Sequence, residues 1–359
     1  MSLLSCNCRI GMGRKIAVLF DLLLVVASGL LLAAALLCRH ASDISPETGR
    51  FWALLALSMP GVLLLNLAAL FYWLLRRRWL VCLLPLAALL SNGEYVAAMV
   101  QLHPATDART RSDLRVASLN ALNFNLGESR YRTAHAVAGI MSRERVDVLC
   151  LQEFPVFADT SVDSLLGCFT PRFPYSVQDG WEAILSRYPI VNHRYAQFAD
   201  AWNAYLLVDL AVGGDTVRVV SVHLQSTGIA SLRARYREEH DREAPVEALL
   251  GEVERNSRLR ARQVHELEQL IDSVRGPLIL AGDFNDTPSS YTYRRIDSRL
   301  QDGFRAAGRG YGSTFRSLGG VLRIDYIFCN DSLRCVGYRT LPDTVSDHRA
   351  VIADFRFVR

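Results

Sequence analysis

Polar side chains follow a buried-strand pattern at Leu278–Asp286, and their types suit acid–base or metal chemistry. Four aliphatic residues lead directly into Gly282, Asp283 and Asn285. Asp283 and Asn285 are two residues apart, so they lie on one face of the end of the strand. A buried carboxylate is costly without a partner, which favours a functional role. A strand that ends in an Asx turn is the alternative that this stretch alone leaves open.

Five further polar groups follow or interrupt apolar runs after residue 113. They are Asn120, Glu153, His223, Asp325 and the pair Asp347-His348. Each alone has an ordinary explanation, such as a turn residue, a solvated strand end, a core histidine or an acid paired with an arginine. Together they predict a site of hard oxygen ligands beside histidines, because clustered carboxylates repel one another unless a cation lies among them.

The polar groups belong to six segments that occur in a fixed order. The segments are Ser118-Leu119-Asn120, Leu151-Gln152-Glu153, Ser221-Val222-His223-Leu224, Gly282-Asp283-Phe284-Asn285, Arg323-Ile324-Asp325-Tyr326-Ile327 and Ser346-Asp347-His348. This ordered set resembles the endonuclease/exonuclease/phosphatase family of metal-dependent phosphoesterases over Leu114–Arg359. The resemblance implies a four-layer α/β sandwich, in which two packed, mostly antiparallel sheets are flanked by helices. An apolar amino-terminal region before this domain resembles the membrane-anchored bacterial members.

The resemblance also implies a metal site. Asn120 and Glu153 would hold a divalent cation, with Asp347 near it or bound to it. Mg²⁺ is the expected ion and Mn²⁺ a substitute. Asn203, which precedes an apolar strand, is a candidate phosphate contact, and a plain turn asparagine is the alternative.

Catalytic roles follow from the same resemblance. Asp283 would position or deprotonate the attacking water, and Asn285 would hold the phosphate and order that water. His223 would donate to a non-bridging phosphate oxygen, and His348, oriented by Asp325, would be the second histidine at the phosphate. These residue types meet the needs of phosphodiester hydrolysis, which are charge neutralisation, an in-line water and a stabilised leaving oxygen.

Half of the 359 residues are hydrophobic, and the excess lies in the first hundred. Three apolar runs, 16–38, 51–75 and 79–100, each reach the ~20 residues that a bilayer core requires. They predict a bundle of three transmembrane helices before the α/β domain. The third run is interrupted by Ser91-Asn92-Gly93-Glu94, so a re-entrant or interfacial segment is its alternative.

The distribution of cations predicts the orientation in the membrane. Basic residues precede the first run, and Arg76-Arg77-Arg78 follow the second. The positive-inside rule therefore puts the amino terminus and these arginines in the cytoplasm. Three spans place the carboxy-terminal domain outside the cytoplasm, and two place it inside. We expect three, and hence a multi-pass protein of the bacterial inner (plasma) membrane with its catalytic domain on the non-cytoplasmic side.

The domain organisation follows from these patterns. Residues 1–100 are expected to be the membrane anchor, 101–113 a polar linker and 114–359 the catalytic domain, with strands alternating with helices. The 230–262 segment alternates arginines with acids, which predicts a salt-bridged, solvated helix surface, with Pro245 as a break between two helices. Cys329 and Cys335 could be close in a hairpin, but spacing does not establish a disulfide.

The expected partners are the lipid bilayer and a phosphoester substrate, either nucleic acid or a phospholipid headgroup; no protein partner is predicted. The main hypothesis is a phosphodiesterase of the nuclease type. A lipid-phosphate phosphatase or phosphodiesterase is the alternative, because an anchored site lies near headgroups. A catalytically silent, membrane-tethered binding module is a further alternative, which the complete set of site residues disfavours.

Overall fold

The computed structural model describes residues 3–104, 112–127, 129–199, 201–240 and 243–358. Its helices are α1 (Leu3–Ala41), α2 (Arg50–Leu75), α3 (Trp79–Ser91), α4 (Gly93–Met99), α5 (Arg130–Arg143), α6 (Val162–Gly167), α7 (Ile229–His240), α8 (Val246–Ser273), α9 (Tyr291–Asp297) and α10 (Gly303–Ala307). Its strands are β1 (Val100–Leu102), β2 (Leu114–Asn120), β3 (Val148–Gln152), β4 (Tyr175–Asp179), β5 (Glu182–Ser186), β6 (Ile190–Gln197), β7 (Ala204–Val212), β8 (Asp215–His223), β9 (Leu278–Asp283), β10 (Gln301–Asp302), β11 (Arg309–Tyr311), β12 (Asp325–Cys329), β13 (Leu333–Thr340) and β14 (Val351–Phe357).

The amino-terminal helices form a bundle. α1 and α2 are each long and apolar enough to cross a membrane, whereas α3 and α4 meet at a bend of 61° and form either one broken span or a re-entrant loop. At one end of the bundle Asp21 pairs with Arg76 at 2.7 Å and Arg78 at 3.7 Å. At the other end the side-chain amide of Asn92 donates to the Ala35 carbonyl at 3.2 Å. α3 therefore runs beside α1 from one end of the bundle to the other.

Two six-stranded sheets form the carboxy-terminal domain. One sheet has the order β13-β14-β2-β3-β5-β4 and the other β10-β12-β9-β8-β7-β6. Aliphatic residues from both sheets pack between them, Val116 and Ile184 from one and Leu206 and Ile279 from the other. α5 packs on the outer face of the first sheet and α8 and α9 on that of the second. The chain therefore has the four-layer sandwich expected from its sequence, preceded by apolar helices.

Two parallel strand pairs decide where the chemistry lies. β2 pairs in parallel with β3, so that Asn120 lies opposite Gln152. β8 pairs in parallel with β9, so that His223 lies opposite Asp283. The carboxyl ends of four strands thus meet at one edge of the sandwich, since the two sheets pack face to face.

Six of the described strands have no counterpart among the runs recognised in the sequence: β1, β4, β6, β10, β11 and β13. Four of them are the edge strands of the two six-stranded sheets, and β1 and β11 pair only with each other. An edge strand packs weakly and keeps polar side chains, so it lacks the continuous apolar run of a central strand. The hairpin at Gly213-Gly214 between β7 and β8 and the helix break at Pro245 are as predicted.

The predicted linker begins with secondary structure. Strand β1 pairs with β11 in a separate two-stranded sheet, with Val100 opposite Tyr311 and Leu102 opposite Arg309. Residues 105–111 of the linker lie outside the described residues. Cys329 and Cys335 are both buried with free thiols.

Candidate active site

Four of the predicted residues converge where the strand ends of the two sheets meet. Asn120 Nδ2 donates to Glu153 Oε1 at 2.9 Å and to Asp283 Oδ2 at 3.0 Å. His223 Nε2 lies 3.8 Å from that Glu153 oxygen and 3.7 Å from the Asp283 oxygen. Asn120 and Glu153 come from one sheet and His223 and Asp283 from the other, so the site exists only when the sandwich is assembled.

His348 is held between two buried carboxylates. Its Nδ1 lies 3.0 Å from both carboxylate oxygens of Asp325, and its Nε2 lies 3.8 Å from Asp283 Oδ2. Burial alone would lower the pKa of His348, but the charges of Asp325 and Asp283 outweigh it and raise the pKa to about 10. The imidazole is therefore protonated near neutral pH and can donate from Nε2 towards the cleft.

Neighbouring residues hold the Asp325–His348 pair in place. The Thr314 hydroxyl accepts from the Asp325 N–H at 3.1 Å, and the Phe315 ring lies 4.9 Å from the His348 ring. The Ser346 hydroxyl accepts from the His348 N–H at 3.1 Å and donates to the Asn120 carbonyl at 2.7 Å. The histidine loop is thereby joined directly to the end of β2.

Asp283 and Asn285 form one local unit. The Asn285 N–H donates to Asp283 Oδ1 at 2.8 Å, which is the Asx turn that the sequence left open. The Asn285 amide donates to the Leu224 carbonyl at 2.9 Å and to Asp283 Oδ2 at 3.3 Å. Burial raises the pKa of Asp283, the positive charge of His348 opposes that rise, and the Asp325 carboxylate adds to it. A buried carboxylate with a raised pKa is suited to accepting a proton from water.

The donor set around Glu153 fits a hard divalent cation. The carboxylates of Glu153 and Asp283 both accept from the Asn120 amide. Asp347 is half-buried, and the Ser346 hydroxyl contacts both the Asp347 carboxylate and the Asn120 carbonyl. Carboxylate and amide oxygens are the ligands that Mg²⁺ prefers. The Asn120 Oδ1 atom accepts from the Leu122 N–H at 3.0 Å, so a cation held through that oxygen requires the amide to rotate.

A second acidic group, Asp283, Asp325 and His348, has donor atoms that all lie within 4.8 Å of one another. These distances meet the requirement of a cation site. His348 Nδ1 is already within hydrogen-bond distance of both Asp325 oxygens, so the same three residues also form a carboxylate–imidazole unit.

The cleft beside Glu153 and His223 contains residues that the motif analysis did not select: Asn123, Trp181, Glu182 and Trp202, together with Ala204 and the predicted Asn203. The Asn203 carbonyl accepts from the Phe198 N–H at 2.9 Å and closes the turn before β7. Glu182 is 1% exposed, and the Ser221 hydroxyl donates to it at 2.6 Å. Burial raises the pKa of Glu182 well above its usual range, which favours the neutral carboxyl. An acid at the start of the apolar run Ala183–Leu185 was the available signal.

The Endonuclease/Exonuclease/phosphatase family model matches residues 117–348, and a domain of unknown function (DUF8431) matches residues 20–98. No curated protein matches the sequence. Among solved structures, a sphingomyelinase C from Streptomyces griseocarneus is 22% identical, with a TM-score of 0.50, and the match covers 68% of this chain and 99% of that chain.

Two further solved structures share the fold. An endonuclease/exonuclease/phosphatase from Bacteroides vulgatus is 15% identical, with a TM-score of 0.51 and coverage of 68% of this chain and 99% of that chain. The human Nocturnin catalytic domain with bound sulfate is 19% identical, with a TM-score of 0.50 and coverage of 68% and 93%. The family model spans more than half of the chain, and the chain therefore belongs to the endonuclease/exonuclease/phosphatase family of metal-dependent phosphoester hydrolases.

Proposed function

We propose that this chain hydrolyses a phosphodiester at a membrane surface, with the phosphate bound between His223, Asn285 and His348. The observation that carries the proposal is the buried His348–Asp325 pair, which presents a protonated donor 3.8 Å from the Asp283 carboxylate. In this arrangement Asp283 orients the attacking water and takes its proton. His348 donates to the oxygen on which negative charge develops.

Asn120, Glu153 and Asp347 would hold the divalent cation, and Mg²⁺ is the expected ion. When bound, it would supply positive charge to the phosphate oxygens. His223 lies beside Glu153 and Asp283, where its Nε2 can donate to a non-bridging oxygen. Asn285, anchored by its bond to the Leu224 carbonyl, keeps Asp283 in one orientation.

The cleft favours a lipid phosphodiester over nucleic acid. The described residues that line it include two tryptophans and two acids but neither lysine nor arginine. A nucleic acid requires a cationic surface that follows several phosphates. The arginines of α7 and α8 are largely paired, for example Arg255 with Glu252 and Arg258 with Glu254. Nuclease activity is the second candidate, because the same site chemistry serves it.

The position of the site relative to the bundle also supports a lipid substrate. Ser289, a few residues after Asn285, donates to the Ala56 carbonyl of α2 at 2.7 Å. Ala56 lies six residues after Arg50, where α2 begins. The loop that carries the catalytic acid therefore continues directly onto the membrane helices.

The test uses the full chain in lipid nanodiscs, with phospholipid vesicles that contain sphingomyelin, plasmid DNA and RNA as parallel substrates. Mg²⁺-dependent release of a phosphorylated headgroup, abolished by chelator, is expected. Asp283→Ala and His348→Ala should each lower turnover by about two orders of magnitude or more. Asp215→Ala and His193→Ala are matched controls, because both side chains are exposed, Asp215 lies at the end of β8 opposite His223, and His193 lies on the edge strand β6. Normal turnover in Asp283→Ala or His348→Ala would refute the mechanism, and cleavage of nucleic acid alone would favour the second candidate.

We also propose that the catalytic domain lies outside the cytoplasm. The ion pairs of Arg294 with Asp43 and of Arg50 with Glu247 attach the domain to the end of the bundle opposite Arg76. The positive-inside rule puts Arg76 in the cytoplasm. An alkaline phosphatase fusion at the carboxy terminus should be active and a fusion after Arg78 inactive, and the reverse pattern would refute this orientation.

A further inference from the structure

A second cavity lies at the junction between the bundle and the catalytic domain. It is partly open to solvent and is lined by the ends of α1 and α3 and by the start of α9. Its lining includes Arg39, Asn92, Glu94, Ser289 and Arg294. None of these residues lines the cleft at Glu153 and His223. The cavity is therefore separate from the catalytic site.

Asn92 gives this cavity an unsatisfied hydrogen-bond acceptor. The residue is 2% exposed, and its Nδ2 donates to the carbonyls of Ala35 at 3.2 Å and Ala88 at 2.9 Å. These two carbonyls fix the orientation of the amide, since only the nitrogen can donate to them. The Asn92 Oδ1 atom is buried and has no partner. A buried acceptor of this kind is costly unless a ligand or water donates to it.

Arg39 gives the same cavity an available cation. Its side chain is exposed, and its Nη1 donates to the Ser91 carbonyl. Among the described residues no carboxylate lies within ion-pair distance of Arg39. The other arginines of the lining are paired, Arg294 with Asp43 and Glu94, and Arg305 with Asp297. A guanidinium has five N–H donors, so most of those of Arg39 are free to bind an anion.

We propose that the junction cavity binds a phosphate ester whose alcohol carries an N–H or O–H group, such as the headgroup of phosphatidylglycerol or phosphatidylethanolamine. The phosphate would bind Arg39, and the hydroxyl or ammonium would donate to Asn92 Oδ1. The location supports a lipid as the source, because the cavity lies where α1 ends and α3 bends, at headgroup depth if these helices span the bilayer. A choline headgroup has no such donor and would leave Asn92 unsatisfied.

The test is native mass spectrometry of the full chain, purified in a mild detergent and titrated with phosphatidylglycerol, phosphatidylethanolamine or phosphatidylcholine. One tightly bound lipid per chain is expected for the first two, with phosphatidylcholine at least about 10-fold weaker. Arg39→Gln should weaken phosphatidylglycerol binding about 10-fold or more, and Arg39→Lys should recover part of it. Arg77→Gln is the matched control, because Arg77 lies at the opposite end of the bundle. This variant should bind phosphatidylglycerol as the unmodified chain does.

Asn92→Ala supplies an independent variant, in which the preference over phosphatidylcholine should disappear. Arg39 is exposed, so its variants remain informative if Asn92→Ala fails to fold.

Competition with sn-glycerol 3-phosphate distinguishes the two sources of the ligand. Displacement of the lipid means that a free phosphate ester also fits, and the absence of displacement means that the bilayer supplies the ligand. Equal binding by all three lipids, or an equal loss in Arg39→Gln and Arg77→Gln, would overturn the proposal. Either result is separable from the hydrolase activity, because binding alone is measured.

Discussion

Replacing Arg323 by methionine should destabilise the α/β domain severely, because this arginine is fully buried two residues before Asp325 of the candidate active site. Its guanidinium donates to both carboxylate oxygens of Asp302, at 2.7 and 2.6 Å, and to the Ala98 carbonyl at 2.8 Å. It also lies 4.6 Å from the centroid of the Phe304 ring. A methionine side chain has a similar length but would leave the Asp302 carboxylate buried without its cation.

The expected loss is about 3–5 kcal/mol, which is the usual cost of removing one partner of a buried ion pair. Asp302 would keep only the Tyr293 hydroxyl at 2.8 Å and the Phe304 N–H at 2.9 Å. The double variant Arg323→Met/Asp302→Leu removes both charges, so we expect it to lose only about 1–2 kcal/mol, mainly the cap of α10.

The assay is urea unfolding of the full chain in detergent, followed by tryptophan fluorescence, with turnover measured on the same samples. Arg237→Met is the matched control, since Arg237 is an exposed arginine that pairs with the exposed Glu243 at the surface. We expect the control to lose about 1 kcal/mol or less. A loss below about 1 kcal/mol in Arg323→Met, or a double variant as unstable as the two single variants combined, would refute this reasoning.

Three further outcomes follow from the site. In chelated protein, NMR should find the His348 imidazole protonated until about pH 10. Because the pKa of His348 is raised in the folded state, its contribution to stability is complete below about pH 6.5 and is lost as pH rises towards 10. Asp325→Asn should move the midpoint of the His348 titration down to about pH 6.5 or lower. Glu182→Gln should keep turnover within about 3-fold, because burial favours the neutral carboxyl and an amide oxygen can also accept from the Ser221 hydroxyl. Glu182→Leu should cost about 1–3 kcal/mol, because it leaves the Ser221 hydroxyl without its acceptor. Equal behaviour of the two variants in urea unfolding would contradict this. Trp202→Ala should raise KM about 3- to 10-fold at constant kcat, because the 86% exposed Trp202 can contact substrate but not the reacting phosphate. A lower kcat at constant KM in steady-state assays would exclude a role of Trp202 in substrate binding alone.

The central strands and their polar ends could be predicted from the sequence, because a continuous apolar run identifies a buried strand. The four-layer fold required the family resemblance as well. Which ends meet could not be derived from local pattern. Asn120 contacts Asp283 across 163 positions of sequence, and only the pairing of β2 with β3 and of β8 with β9 aligns them.

Charge pattern was a partial guide to the long helix. The arginines of 230–262 were expected on a salt-bridged, solvated surface, and Arg255 and Arg258 fulfil this. Arg260 does not: it is 2% exposed and pairs at 3.1 Å with Asp286, the residue directly after Asn285 of the candidate active site. Periodicity identifies the faces of a helix but not a buried partner elsewhere in the chain, so a buried arginine looks the same as its neighbours in sequence.

The amino-terminal helices and the α/β domain are joined by contacts that no local pattern could reveal. β1 pairs with β11 in a separate two-stranded sheet, and the Ala98 carbonyl accepts from Arg323, two residues before Asp325, which contacts His348. These contacts involve backbone groups, so they depend on where the chain passes rather than on residue type. The amino-terminal helices therefore do more than precede the α/β domain in sequence: they contribute to the packing near His348 and hold the candidate active site at a fixed position against the bundle.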